Sequence, residues 1–232
     1  MMEIKPIAYF KSPFREKFGI PRQAGLASGL KGKIVFEPEY RLTDAVRGLE
    51  GFDYIWLIWG FSANEYSDDS FHATVRPPRL GGNERVGVFA SRSPFRPNSL
   101  GLSSVRMETI DYEAKGPDGK PIGPVIEVLG ADLLDGTPIY DIKPYVEYAD
   151  SHPGVHSGFV DSAAWERLEV VFPEGAVDSG LDLGVLEEIL SLDPRPAFHN
   201  DPEKEYGLSF EGRQVRFKVD GRVLKVLSIN SE

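Results

Sequence analysis

The stretch Tyr54 to Phe61 reads Y-I-W-L-I-W-G-F, and it determines the fold class of this chain. Its β-branched and aromatic residues are typical of a strand, and the side chains on both of its faces are apolar. A strand of this kind must be covered on both faces. The stretch therefore predicts a central strand of a sheet.

Other short apolar segments surround this strand within the first 145 residues, and clusters of Gly and Pro separate them. Strands are predicted over residues 4–10, 33–36, 86–90, 101–110 and 125–134, and a short helix capped by Thr43 is predicted over residues 43–49. Because few helices lie between these strands, the sequence favours a mostly antiparallel sheet or barrel over repeated βαβ units.

A different pattern follows the loop at residues 150–158. It predicts a strand over 168–172, a helix over 181–192, and two strands joined by the hairpin signal Asp220-Gly221. We therefore expect a mainly β protein with a first domain at residues 1–150 and a small α+β domain at residues 151–232. A domain of that size has a marginal core, so we expect it to lean on the first domain or on a partner.

The composition excludes several classes of function. The 232 residues include no cysteine, which rules out thiol nucleophiles, zinc–thiolate sites and disulfides. The motifs of P-loops, nucleophile elbows, zinc proteases and Rossmann dinucleotide sites are also missing. There is no signal-peptide pattern, and no stretch approaches the roughly 18 apolar residues that a membrane span needs. We expect a soluble, cytoplasmic protein with no metal site and no membrane partner.

The segment Val75 to Asn98 has the most distinctive composition, with five arginines, four prolines and three glycines against one acid. Proline and glycine predict rigid loops, and the planar donor fork of arginine suits phosphate or carboxylate. The segment therefore predicts an anion-facing surface, although a loop with solvated arginines would have the same composition. The net charge of −10 does not oppose this prediction, because residues 1–97 carry 14 Lys/Arg against 11 Asp/Glu. Phosphate binding depends on the local field.

Two further segments combine turn residues with polar side chains suited to a small ligand. In F-G-I-P-R-Q-A-G-L, Arg22 and Gln23 offer donors for a carboxylate or an amide. In D-G-T-P, which begins at Asp135, a carboxylate and a hydroxyl beside a glycine suit a ribose or a purine edge. An ordinary polar loop and a plain β-turn are the alternative interpretations of these segments.

Five motifs together stand in the order found in a known family. They are P-R-Q-A-G-L, D-A-V-R-G-L-E-G-F, V-R-P-P-R-L-G-G-N, V-F-A-S-R-S-P-F-R-P-N and L-L-D-G-T-P-I-Y-D-I-K-P-Y. Over residues 4–150 the chain resembles the TsaA/TrmO (YaeB-like) family of S-adenosylmethionine-dependent tRNA methyltransferases. The resemblance continues more loosely through D-P-R-P-A-F at residues 193–198.

The resemblance implies a single-sheeted antiparallel β-barrel in the first domain, a homodimer, and S-adenosyl-L-methionine as cofactor. The implied reaction is N6-methylation of threonylcarbamoyladenosine just 3′ of the anticodon of threonine tRNA. The positions implied for cofactor contact are Pro21, Arg22, Gln23, Phe61, Ser62, Arg92, Leu102, Asp135, Gly136, Thr137 and Pro138. Some relatives carry histidine at the position of Ser62, and a backbone contact would survive that difference.

Methyl transfer from a sulfonium requires near-attack geometry but neither a metal nor a covalent nucleophile. A base that removes the proton of the acceptor nitrogen would help. Asp135 is a candidate by its position in the motif, but the same carboxylate could equally bind the cofactor ribose, so no base is assigned.

Contacts to the RNA have candidates of two kinds. Arg76, Arg79 and Arg96 are candidates for tRNA phosphates, and Phe95 and Tyr145 are candidates for stacking on bases splayed out of a loop. Two alternatives remain open at this point: a non-catalytic RNA- or ligand-binding barrel, and a methyltransferase of the same family with a different acceptor.

Overall fold

The computed structural model describes residues 3–63, 71–77, 84–162, 166–196 and 199–231. Its strands are β1 (Ala8–Lys11), β2 (Lys31–Phe36), β3 (Tyr54–Gly60), β4 (Thr74–Val75), β5 (Val86–Gly87), β6 (Leu100–Asp111), β7 (Val125–Leu129), β8 (Pro138–Pro144), β9 (Glu169–Val171), β10 (Tyr206–Phe210), β11 (Arg213–Asp220) and β12 (Val223–Ser231). Its α-helices are α1 (Thr43–Val46), α2 (Glu147–Asp150), α3 (Phe159–Ser162) and α4 (Leu183–Ser191). None of these helices is long and apolar enough to cross a membrane. The mainly β prediction is confirmed.

Six strands pair in the order β1-β2-β7-β6-β3-β8, and β8 returns to β1, so the ring closes into an antiparallel barrel. Strand β3 pairs with β6 on one edge and with β8 on the other, which confirms the predicted central strand. Its side chains alternate as the pleat requires. Ile55, Leu57 and Trp59 are buried in the barrel core, while Trp56 and Ile58 are half-buried on the outside.

One end of the barrel collects three long connections. Because Gly60 pairs with Leu100 and Lys31 with Leu129, the last residues of β3 and β7 lie beside the first residues of β6 and β2. The start of β8 lies at the same level, because Pro138 pairs with Tyr9 and Phe10 exchanges backbone hydrogen bonds with Gly136 and Thr137. The β1–β2, β3–β6 and β7–β8 connections therefore leave the barrel side by side, at what we call the loop end.

A second sheet has the order β10-β11-β12-β9, and a two-stranded sheet joins β4 and β5. The chain as a whole thus contains several sheets, and only the barrel is built from a single sheet. A hairpin joins β11 to β12 as the sequence predicted, but its turn lies one residue later than expected: Asp220 pairs with Val223, so Gly221 and Arg222 form the turn. Helix α4 packs on the second sheet, and the Asp182 carboxylate caps its start by accepting hydrogen bonds from two backbone amides of the first turn.

The second hydrophobic core includes residues from the β1–β2 connection. Phe14, Ala27 and Leu30 are buried in it together with the C-terminal strands. The Phe14 ring is 0% exposed, and its centroid lies 5.5 Å from that of Phe210. This shared core agrees with the expectation that the small C-terminal unit leans on the first part of the chain.

Several predicted boundaries were wrong. The strand predicted over residues 125–134 ends at Leu129, because Gly130 turns the backbone with φ of 74°. The strand predicted over residues 86–90 is a strand at Val86–Gly87 and then a 3-10 turn. Thr43 is the first residue of α1 and makes no side-chain cap. Strands β8 and β10 were not predicted at all.

Candidate functional site

The residues implied for cofactor contact lie on the three connections at the loop end or on the first residues of the strands that follow them. The β1–β2 connection carries Pro21, Arg22 and Gln23, and the β3–β6 connection carries Phe61, Ser62 and Arg92. The β7–β8 connection carries Asp135, Gly136 and Thr137. Strand β6 carries Leu102 near its start, and strand β8 begins at Pro138. The barrel topology therefore brings residues more than a hundred positions apart to one end of the fold.

Two of these connections meet through Arg92 and Gln23. Arg92 Nη1 donates a hydrogen bond to Gln23 Oε1, which links positions 69 residues apart. Gln23 is half-buried, whereas Arg92 is exposed. An exposed guanidinium steadied on one side can hold a carboxylate by charge-assisted hydrogen bonds.

The D-G-T-P turn is fixed by hydrogen bonds of its own. Asp135 Oδ1 accepts from the Ser12 amide at 3.1 Å, and its Oδ2 lies 3.8 Å from Lys11 Nζ. Thr137 is 3% exposed, and its hydroxyl donates to a backbone carbonyl of the same turn at 2.8 Å. Gly136 has φ of 77° and open space around it. The turn therefore presents the Asp135 carboxylate and the backbone at Gly136, while the Thr137 hydroxyl serves the turn itself.

An apolar surface lies on the same end of the barrel. Phe61 is half-buried, packs edge-to-face on Trp59 with ring centroids 4.3 Å apart, and donates its amide to the Ser99 carbonyl at 2.9 Å. Leu102 is 58% exposed, and Ser62 is exposed beside Phe61. Small-ligand sites combine such apolar surface with a few placed polar groups.

Pro21 and Arg22 face a groove that the other candidate residues do not line. The groove has a volume of about 400 Å³ and lies between the β1–β2 connection and the segment that follows α4. In its far wall, Arg195 donates to both carboxylate oxygens of Asp193, and this pairing raises the pKa of Arg195. This groove therefore borders the part of the candidate site that carries Pro21 and Arg22.

Polar contacts also fasten the β1–β2 connection to the C-terminal unit. The Glu188 carboxylate on α4 accepts from the Ser28 hydroxyl at 2.9 Å and from the Gly29 amide at 3.0 Å. Arg167 Nη2 donates to the Leu26 carbonyl at 2.7 Å. The C-terminal unit therefore positions the connection that carries P-R-Q.

Sequence reasoning missed a buried polar network between the connections. Ser103 Oγ donates to Asp132 Oδ1 at 2.6 Å and accepts from Trp59 Nε1 at 3.0 Å. Burial raises the pKa of the Asp132 carboxyl, while the Ser103 hydroxyl, the Ala24 amide and the charge of Arg92 oppose that rise. The sequence feature that could have indicated this network is the single acid in the apolar run G-A-D-L-L. A charged side chain in an apolar run needs partners, because a buried charge is costly without them.

The candidate RNA-contacting arginines differ in their surroundings. Arg76 is exposed, and Arg79 lies outside the described residues. Arg96 is half-buried; its Nη1 donates to the Ser91 carbonyl at 2.7 Å, and its guanidinium lies 5.8 Å from the Phe89 ring centroid. Arg96 therefore stabilises its own loop, which leaves Arg76 as the better candidate for a phosphate.

The two candidate stacking rings also differ. Tyr145 is half-buried, with its ring centroid 6.1 Å from that of Tyr54 and 5.7 Å from that of Trp56. Phe95 is 48% exposed. Tyr145 is thus part of an aromatic cluster outside the barrel, whereas Phe95 offers more accessible ring surface.

The loop after α2 carries two histidines, four positions apart, which is a spacing found in some metal sites. His152 and His156 are exposed, and His156 Nδ1 lies 3.9 Å from Asp161 Oδ2. Within the part of the chain that the structure describes, no group of three or more His, Cys, Asp or Glu side chains could hold a metal ion.

Known proteins match this chain over nearly its whole length. Residues 9–151 match the family model of the tRNA-methyltransferase O N-terminal domain, and residues 169–232 match that of the TrmO C-terminal domain. A tRNA (adenine(37)-N6)-methyltransferase of Escherichia coli K12 is 36% identical over 238 residues, which cover 98% of this chain and 97% of the relative. A putative S-adenosylmethionine-dependent methyltransferase of Pseudomonas aeruginosa is 38% identical over 88% of this chain and 87% of its own. The crystal structure of TrmO from Pseudomonas aeruginosa matches with a TM-score of 0.77 at 30% identity, covering 100% of this chain and 99% of that one.

The chain thus shares its overall fold with a class of tRNA methyltransferases. The chain belongs to the TrmO family, over both its N-terminal and its C-terminal parts. The resemblance drawn from the five motifs is confirmed.

Proposed function

We propose that this protein is an S-adenosylmethionine-dependent methyltransferase that modifies N6 of adenosine 37 in tRNA, next to the anticodon. The observation that carries this proposal is the meeting of the three connections at the loop end, with Arg92 hydrogen-bonded to Gln23. Membership of the TrmO family and the activity named for the Escherichia coli relative support it. The proposed acceptor is threonylcarbamoyladenosine in threonine tRNA.

The residues at the loop end fit such a cofactor. When bound, S-adenosyl-L-methionine supplies a methyl group activated by a sulfonium. The exposed Arg92 suits its carboxylate, and Phe61 and Leu102 offer apolar surface. The Asp135 carboxylate, already oriented by the Ser12 amide, suits a ribose hydroxyl. The task of these side chains is binding and orientation, because displacement at a methyl carbon depends chiefly on alignment.

We also assign the two parts of the chain. Residues 1–150 form the methyltransferase domain, and residues 151–232 form a smaller domain that supports the P-R-Q connection through Glu188 and Arg167.

We further propose a homodimer. Phe89 is 71% exposed and Phe71 56% exposed in the single chain, and a second copy would cover such rings. Sedimentation velocity should then give twice 25.8 kDa, and a single species at 25.8 kDa would contradict the dimer.

The function is tested with purified protein, S-adenosyl-L-methionine and threonine tRNA that carries threonylcarbamoyladenosine. Nucleoside mass spectrometry should show one methyl group added to that nucleoside.

The Arg76→Ala variant should have a higher KM for tRNA and unchanged affinity for S-adenosyl-L-methionine, because an exposed arginine at an RNA surface neutralises phosphate charge.

The same experiment separates the alternatives. Cofactor binding without methylation of any tRNA would favour the non-catalytic binding barrel. Methylation at another nucleoside would favour a family member with a different acceptor. A protein that binds neither the cofactor nor tRNA would contradict the proposed function altogether.

A further inference from the structure

A half-buried carboxylate lies among the connections that carry the candidate cofactor residues. Asp132 lies on the β7–β8 connection, and its Oδ1 accepts a hydrogen bond from Ser103 Oγ at 2.6 Å. Ser103 is 3% exposed, and its oxygen also accepts from Trp59 Nε1 at 3.0 Å. A serine hydroxyl that accepts one hydrogen bond and donates another has a fixed orientation. Strands β3 and β6 of the barrel therefore anchor the carboxylate.

The partners of Asp132 are neighbours of the candidate cofactor residues. Ser103 follows Leu102 on β6, Trp59 packs on Phe61 at 4.3 Å, and Ala24, whose backbone amide favours the ionised carboxylate, follows Gln23. The positive charge of Arg92 also favours the ionised form of Asp132, and Arg92 donates to Gln23. The Gly25 amide donates to the Gly130 carbonyl at 2.8 Å, so the β1–β2 connection lies against the β7–β8 connection two residues before Asp132. The Asp132 carboxylate thus links the barrel wall with the two connections that meet at Arg92.

We propose that Asp132 is a positioning residue for cofactor binding. Its carboxylate holds Arg92 and the Gln23–Ala24 peptide in the arrangement that receives the carboxylate of S-adenosyl-L-methionine. The inference rests on the proposed location of the cofactor site at the loop end. Ordering two connections against a rigid acceptor before the ligand arrives lowers the entropy lost on binding, so affinity rises without any contact between Asp132 and the ligand.

The test uses Asp132→Asn in the full chain. Asparagine keeps the size of the side chain and an oxygen that accepts from Ser103, but it removes the charge that faces Arg92 and the Ala24 amide. Calorimetric titration with S-adenosyl-L-methionine should show affinity weakened about tenfold, the loss typical of one charge-assisted hydrogen bond. Amide hydrogen exchange without ligand should be faster over residues 21–26, a change that does not depend on enzyme activity.

Asp150→Asn is the matched control. Asp150 also accepts an indole N–H, from Trp56 Nε1 at 3.0 Å, and the Val146 amide at 2.8 Å. It follows the end of β8 that lies away from the loop end. The control should keep wild-type cofactor affinity and wild-type exchange over residues 21–26.

Two outcomes would overturn the positioning role. The first is wild-type affinity and exchange in Asp132→Asn, and the second is an equal loss of affinity in both asparagine variants, which would indicate a general effect on the fold. If the wild-type protein itself binds no S-adenosyl-L-methionine, the proposed function fails instead. Hydrogen exchange over residues 21–26 then still decides whether Asp132 orders the connection.

Discussion

Replacing Phe14 with alanine should lower the free energy of unfolding by about 3–5 kcal/mol, the range for an aromatic side chain removed from a packed core. Phe14 is 0% exposed although it lies in a connection rather than a strand. Its ring packs against Phe210 in the second core, so its removal leaves a cavity among closely packed side chains. Chemical unfolding followed by circular dichroism measures the loss.

The Phe14 variant also tests how the second core supports the cofactor connection. Phe14 enters that core from the same connection that carries Arg22 and Gln23, so its loss should speed hydrogen exchange over residues 21–26 in the folded protein. Tyr148→Ala removes a ring of similar size that is 92% exposed, and it should cost much less stability. Similar losses in the two variants would contradict the buried role of Phe14. Unchanged exchange over residues 21–26 would show that the second core does not hold the connection.

Local sequence patterns were sufficient to predict those elements whose residue types depend only on the element itself. The run Tyr54 to Phe61 is apolar at every pleat position, and Asp-Gly is a specific hairpin signal, so the central strand and the hairpin between β11 and β12 were predicted correctly. The turn itself lies one residue later than predicted, at Gly221-Arg222. The apolar run after Val125 misled because its second half is buried without being a strand. Leu133 is 1% exposed in the barrel core, beyond the turn at Gly130. A buried segment and a paired strand are both rich in apolar residues, so composition alone does not distinguish them.

Strand β8 shows the opposite failure. It begins at Pro138 and ends at Pro144, and proline argues against a strand when only the sequence is available. Both prolines stand at the ends of the strand, where the missing backbone donor matters least. The D-G-T-P pattern just before β8 drew attention to the turn and away from the strand that closes the barrel.

The candidate site could be predicted as a set of motifs but not as an arrangement. The hydrogen bond between Arg92 and Gln23 joins positions 69 residues apart, and the one between Ser103 and Asp132 joins positions 29 apart. Such contacts follow from the order in which strands pair around the barrel. A single sequence does not encode that order in any local pattern.

Replacing Arg92 with alanine should weaken binding of S-adenosyl-L-methionine about tenfold or more, because a charge-assisted hydrogen bond to a carboxylate contributes about 1.5–3 kcal/mol. Arg92 is exposed and donates a hydrogen bond to the Gln23 side chain, so the stability of the fold should change little. Arg92→Lys keeps the charge but loses the planar fork, and its affinity should lie between those of the wild type and the alanine variant. Calorimetric titration measures all three proteins.

Arg85→Ala is the matched control for this prediction. Arg85 is an exposed arginine of the same segment, Val75 to Asn98, and it donates to the Thr74 hydroxyl at 3.3 Å. Its loss changes the net charge by the same amount, so a general field effect would weaken cofactor binding equally in both variants. Weakening confined to Arg92→Ala would show that binding depends on the position of the guanidinium. Unchanged affinity in Arg92→Ala would remove Arg92 from the pocket, and with it the contact that brings two of the three connections into one site.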